Sequence, residues 1–161
     1  MRPELLLDTP ADGAATRALV LDTNIVLDLF IFADPAVAPL RALLQQRRLH
    51  WRATQAMRDE LERVLQYTQL QPRMQFYGVT AQGVLAAFDA GTRLVEVAPR
   101  APYVCKDADD QKFIDLAVAH RAILVSKDKA VLCMRKRLLT LDVLVAASIA
   151  VESNVNCHPK A

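Results

Sequence analysis

Glycine is scarce in this chain, with four in 161 residues, and no glycine-rich phosphate loop can be built from them. Cysteine is as rare: three residues, an odd number without paired spacing, exclude a disulfide framework and point to a reducing cytoplasm. His50, His120 and His158 share no ligand spacing. His120 is accounted for by the dipole at a helix C-terminus, and Cys157-His158 falls in a polar tail. No apolar run approaches the roughly 20 residues that a membrane span needs. The opening, Met1-Arg2-Pro3-Glu4-Leu5-Leu6-Leu7-Asp8, reads as too short and too acidic for a signal peptide. Neither sign of charge dominates: the net charge of +2 does not announce a nucleic-acid binder. Local basic groups at Arg47-Arg48, with His50 and Arg52, and at Arg135-Lys136-Arg137 fit solvated helix ends as well as phosphate contacts.

Apolar residues are plentiful. At 53% hydrophobic and 24% charged, the chain has the composition of a folded soluble domain, and its length suits one core. Residues 1–16, with Pro3, Pro10 and Gly13, read as a flexible leader; 17–151 form the domain, and the polar residues 152–161 a flexible tail. Strands are expected at 17–22, 49–52, 93–97, 122–125 and 138–141. Helices alternate with them: one through Leu29, one at 36–46, and one from the cap Thr54 to Tyr67. Pro72 and Gly78 mark a loop, Thr80 caps a helix over 81–90, and further helices cover the stretch to His120, 129–137 and the apolar end to Val151. No hairpin signal interrupts this alternation. The expected fold is therefore α/β, a three-layer α/β/α sandwich on a mostly parallel sheet of about five strands.

Four carboxylates stand where such a fold would gather them. Asp22 directly follows the apolar run Ala18-Leu19-Val20-Leu21, and Asp128 closely follows Ala122-Ile123-Leu124-Val125. Open α/β sheets bind ligands beyond the carboxyl ends of their strands. Glu60 follows Met57 by three residues and precedes Val64 by four, so it shares the apolar face of its helix, whereas Asp59 and Glu62 point away. An inward carboxylate needs a partner, either a salt bridge to a core-edge arginine or a bound cation. Asp110 precedes Phe113, Ile114 and Ala117 by three, four and seven residues and also faces inward; Asp107 fits the N-cap, and Asp115 is expected in solvent. Asn24 and Ser126 stand close to the two strand-end acids as supporting polar groups. Oxygen ligands without histidine or cysteine suit Mg2+ or Mn2+ rather than zinc. Cys105 has no partner base that would mark it as a nucleophile.

In these segments the chain resembles the PIN-domain family of nucleases, most closely its bacterial branch of toxins from toxin–antitoxin pairs. Leu19-Val20-Leu21-Asp22-Thr23-Asn24 looks like the family's first strand and first acid, and Glu60-Leu61-Glu62-Arg63-Val64-Leu65 like the helix with the second. Asp107-Ala108-Asp109-Asp110-Gln111-Lys112-Phe113 resembles the third motif and the segment from Ala122 to Asp128 the fourth, so the likeness spans about 17–150. It implies a central parallel sheet and a metal-dependent ribonuclease. Asp22, Glu60, Asp110 and Asp128 would be the acidic metal site, with Asn24, Ser126 and Asp107 in support. Lys127 stands where the family often has a small residue, and could neutralise an acid or touch a phosphate.

The function expected is hydrolysis of RNA phosphodiester bonds, in the cytoplasm, with Mg2+ or Mn2+. Without metal, the gathered acids repel, and at least one should hold a proton at neutral pH. A small antitoxin is the expected partner, and a homodimer through the apolar faces of the helices between Ala36 and Tyr67 a companion expectation. The alternative is a non-catalytic RNA- or antitoxin-binding module of the same fold. An aspartyl-nucleophile phosphohydrolase is disfavoured, because Asn24 stands where the acid two residues after Asp22 is required.

Overall fold

The computed structural model describes residues 3–8 and 17–152. Five parallel strands make the central sheet: β2 (Arg17–Leu21), β3 (Leu49–Ala53), β4 (Arg93–Leu94), β5 (Ile123–Val125) and β6 (Leu144–Ala146), in the order β4-β3-β2-β5-β6. Helices flank it in a three-layer sandwich. The chain winds outward from β2 through β3 to β4, then returns across the sheet to lay β5 on the other side of β2. The winding direction thus reverses between β2 and β5, the point where a crevice opens at the strand ends. Leu19, Val20 and Leu21 pair in register with Ile123, Leu124 and Val125, and all six are buried, as central strands covered on both faces should be.

α1 (Thr23–Leu27) leaves the end of β2 and widens into a π-helical turn, Asp28–Phe32, closed by Ala33 at φ 47°. α2 (Ala38–Gln45) leads to β3, and α3 (Gln55–Val64) follows it, capped by Thr54. α4 (Gln71–Tyr77) replaces the expected loop: Pro72 lies at its start, where a missing N–H costs nothing, and Gly78 ends it at φ 67°. α5 (Ala81–Gly91) is capped by Thr80. Gly91 allows a close approach: a Cβ there would sit 3.2 Å from the Trp51 ring, tighter than ordinary van der Waals contact. A 3-10 turn, Ala108–Asp110, opens α6 (Gln111–His120); α7 (Lys129–Leu132) and α8 (Arg135–Leu139) follow β5.

The expectations at the two chain ends are corrected. Leu138 and Leu139, expected in a strand, lie in α8, and the expected last helix is two strands, β6 and β7 (Ser148–Glu152). The β-branched residues Val143, Val145, Ile149 and Val151 favour extended backbone, and β6 gains its ladder from β5, an inducement invisible along the sequence. β1 (Glu4–Asp8) lies in the segment expected as a flexible leader and pairs in parallel with all of β7. The expected strand over 93–97 is paired only at Arg93 and Leu94. The remainder of the expected leader and the tail from 153 fall outside the described residues. The apolar stripes of α2 and α3, expected at a dimer interface, are spent on the core: Leu40, Leu43, Met57 and Leu61 are buried.

Candidate metal centre

Asp22 is delivered by β2. Its backbone N–H donates to Val125 O at 3.0 Å, holding it level with the end of β5, and the residue is only 5% exposed. The fully buried Ser126 hydroxyl donates to Asp22 Oδ2 at 2.6 Å, and the Asn24 backbone N–H donates to the same carboxylate. Burial pushes the Asp22 carboxyl up; these two hydrogen bonds oppose the rise, and the charges of Asp128 and Glu60 add to it.

Ser126 also fixes the fourth motif. Its Oγ accepts from Asp128 N at 3.1 Å, while Asp128 Oδ1 caps α7 by accepting from Ala130 N at 2.9 Å. One hydroxyl therefore sets both strand-end acids.

Asp110 closes the 3-10 turn before α6 and is 7% exposed. Its carboxyl is pushed up to about 8, by burial first, then by the proton it can share with Asp128 and the charges of Asp22, Asp128 and Asp107. One of its oxygens, Oδ2, is buried without a hydrogen-bond partner. Carboxylate oxygens of Asp22, Asp110 and Asp128 lie within 4.8 Å of one another. Three converging carboxylates, one of them carrying an orphaned oxygen, suit a divalent cation such as Mg2+ or Mn2+. Two lysines near the trio in sequence are engaged by other acids: Lys112 by Glu60 and Lys127 by Asp28.

Glu60 does stand inward on α3, but at the margin. Its Oε1 is 2.5 Å from Lys112 Nζ, an ion pair by distance without hydrogen-bond geometry, and it acts on Asp22 through its charge. The trio does not include it. The cation beside Glu60 is thus a lysine from α6, not a core-edge arginine. Asn24 supports the site through its backbone, its side chain being exposed. Asp107 is exposed and caps the 3-10 turn by accepting from Asp109 N at 3.0 Å, so of the two candidate third acids Asp110 is the one in the trio.

Two features escaped the sequence. Asp28 is 7% exposed and ion-paired to Lys127; its signal was a lone acid inside the apolar run Ile25-Val26-Leu27-Asp28-Leu29-Phe30-Ile31. Asp115, expected in solvent, is half-buried and accepts from Ala101 N and Gln111 Nε2, both at 2.8 Å. Gln111 in turn donates to Tyr103 O at 3.1 Å and accepts from Cys105 N at 2.6 Å, tying the proline-rich crossing to the helix that begins at Asp110. Cys105 itself is 4% exposed, and burial pushes its thiol up, the opposite of what a nucleophile needs.

Comparison with known proteins bears on the same residues. The family model for the PIN domain matches residues 18–130, a span containing all four acids. Among solved structures, the fold is shared with a chain of VapBC2 from Rickettsia felis bound to a DNA fragment from its promoter. The two superpose with a TM-score of 0.55 at 15% identity, over 80% of this chain and 98% of that one. No curated protein matches.

Proposed function

The chain belongs to the PIN-domain family, and from that premise we propose that it is a Mg2+- or Mn2+-dependent endoribonuclease, the toxin of a toxin–antitoxin pair. The observation that supports this best is the trio itself. Asp22, Asp110 and Asp128 come from three separate segments and meet at the strand ends where the sheet reverses its winding, one of them with an unpartnered buried oxygen.

Asp22, Asp110 and Asp128 would hold the ion, with Glu60 completing the acid set. A divalent cation there supplies the charge that acidifies a water and offsets negative charge on the phosphate during hydrolysis. The rest is done by the chain. Ser126 and the Asn24 amide hold Asp22 in one orientation and favour its ionised form. Asp110 keeps a proton near neutrality in the metal-free chain, a proton it would give up in holding a cation. Lys112 compensates Glu60, limiting repulsion at the rim of the pocket. No side chain is needed as a covalent nucleophile.

RNA is the proposed substrate, and a small antitoxin the proposed partner, covering the acidic pocket with an arginine or lysine in place of the metal. The assembly in which the Rickettsia felis chain was solved supports looking for a partner protein. No helix among the described residues is long and apolar enough to cross a membrane, and the cysteine usage supports a cytoplasmic setting. A homodimer is also proposed. With the α2 and α3 stripes buried, its surface is the face of α4 carrying Phe76, 81% exposed, and Tyr77.

The test is cleavage of single-stranded RNA with Mg2+ or Mn2+, with EDTA, and after metal replacement. Metal-dependent cleavage leaving 5′-phosphate ends is expected; undiminished cleavage in EDTA, or 2′,3′-cyclic ends, would refute the mechanism. Asp22→Asn, Asp110→Asn and Asp128→Asn should each lose about 100-fold or more in rate, about 2.7 kcal/mol of transition-state stabilisation. Asp59→Asn, on an exposed position of α3, is the active control.

A further inference from the structure

Lys127 stands between Ser126, which donates to Asp22, and Asp128 of the trio. An ammonium on a flexible four-carbon stem at that position should be drawn into the carboxylate pocket, where acidic oxygens crowd within 4.8 Å. The structure turns it the other way. Its Nζ pairs with Asp28 Oδ2 on the π-helical turn, in a cavity of about 230 Å3 also lined by Ile25, Asp34, Val37 and Ser148. Asp34, the other acid on that cavity, spends its carboxylate accepting from Ala36 N at 3.0 Å. Asp28 is buried among apolar neighbours, and an acid so placed needs a cation. Each partner therefore confines the other.

We propose that Asp28 is a positioning residue for the metal centre: it holds the Lys127 ammonium out of the carboxylate pocket, keeping that pocket anionic for a divalent cation. The inference rests on the metal reading given above and adds to it a residue outside the acid set. An ammonium released from Asp28 competes with the cation for the same oxygens, so the cation must displace it before binding. Removing the lysine's charge abolishes that competition. A packing role for Asp28 would not be relieved in this way.

The experiment is calorimetric titration of Mn2+ into the metal-free full-length chain, for wild type, Asp28→Asn, Lys127→Gln and the double variant, with thermal unfolding alongside. Asp28→Asn should weaken binding about tenfold or more, the scale seen when groups behind metal ligands are lost. Lys127→Gln should bind as wild type or more tightly, and the double variant should return close to the wild-type value. Unchanged binding by Asp28→Asn, or a double variant as weak as Asp28→Asn, overturns the proposal while leaving the metal reading intact. A wild type that binds no Mn2+ overturns both. Should Asp28→Asn fail to fold, Asp28→Glu carries the test: it keeps the charge, so near wild-type binding is expected, and a loss of about tenfold would refute the proposal.

Discussion

At the scale of single residues, Asp110 carries the clearest electrostatic cost of the metal-free protein. Its carboxyl is pushed up to about 8 when folded against an ordinary value of 3.8, because burial and three neighbouring acids oppose its charge. Between those limits the folded state binds the extra proton, so metal-free stability should fall as pH rises from about 4 to about 8 and level off on either side. Asp110→Asn removes the titration. It should flatten that fall and stabilise the metal-free protein at pH 8 by about 1 kcal/mol or more, roughly 2–4 °C in Tm for each kcal/mol in a domain of this size. Thermal unfolding in EDTA across this range measures both effects. Saturating Mn2+ should reverse the order, stabilising the wild type and not the variant, because the cation repays the acid its burial. The inward direction of Asp110 was readable from its spacing to Phe113, Ile114 and Ala117; its unpartnered oxygen was not, since that depends on two acids brought from elsewhere in the chain.

Among the elements, α6 does most to position the site. Its first turn presents Asp110, its next residues offer Gln111 and Lys112, and Asp115 one turn on binds the crossing that precedes it. Asp115→Ala would leave Ala101 N without its acceptor and Gln111 Nε2 with only Tyr103 O. We expect a loss of about 1–3 kcal/mol by denaturant unfolding. Activity per folded molecule should survive at saturating metal. A variant as stable as wild type would mean that this network contributes nothing to the fold. The cap Thr54 and the helix it begins, with Glu60 facing inward, were legible because capping and stripe are local. α4 is hidden in the sequence because Pro72 and Gly78 resemble interruptions, whereas they are its first turn and its terminator.

For the molecule as a whole, the parallel pairing of β1 with β7 joins the two ends of the described chain. Removing residues 1–8 strips β7 of this ladder, deletes the packing of Leu5 on the core and exposes part of Ile149, so stability should fall by at least about 1–2 kcal/mol. An unchanged Tm would restore the reading of that segment as a mere leader. Self-association tests the outer surface in the same way. Sedimentation should find a dimer that Phe76→Glu converts to a monomer with an unchanged circular dichroism spectrum, since Phe76 is 81% exposed in the single chain. A wild-type monomer at tens of micromolar would remove the dimer from the proposal.

The sequence by itself determined the α/β class, the central strands and the four acids. Each of these is written in local pattern: the short apolar runs before Asp22 and Asp128 have the length and β-branched content of buried strands, and helical spacing turns Glu60 and Asp110 inward. What tertiary structure decided is which groups meet. The order β4-β3-β2-β5-β6 brings Asp22 beside Ser126 across 104 positions, draws Asp110 to them, and leaves Glu60 to Lys112. It also decided that residues 144–146 and 148–152 are strands, because β5 and β1 offer them partners, and that Lys127 turns to Asp28 rather than into the site. Hydrogen bonds and ion pairs between distant segments depend on where the chain returns, and residue spacing records only where it begins.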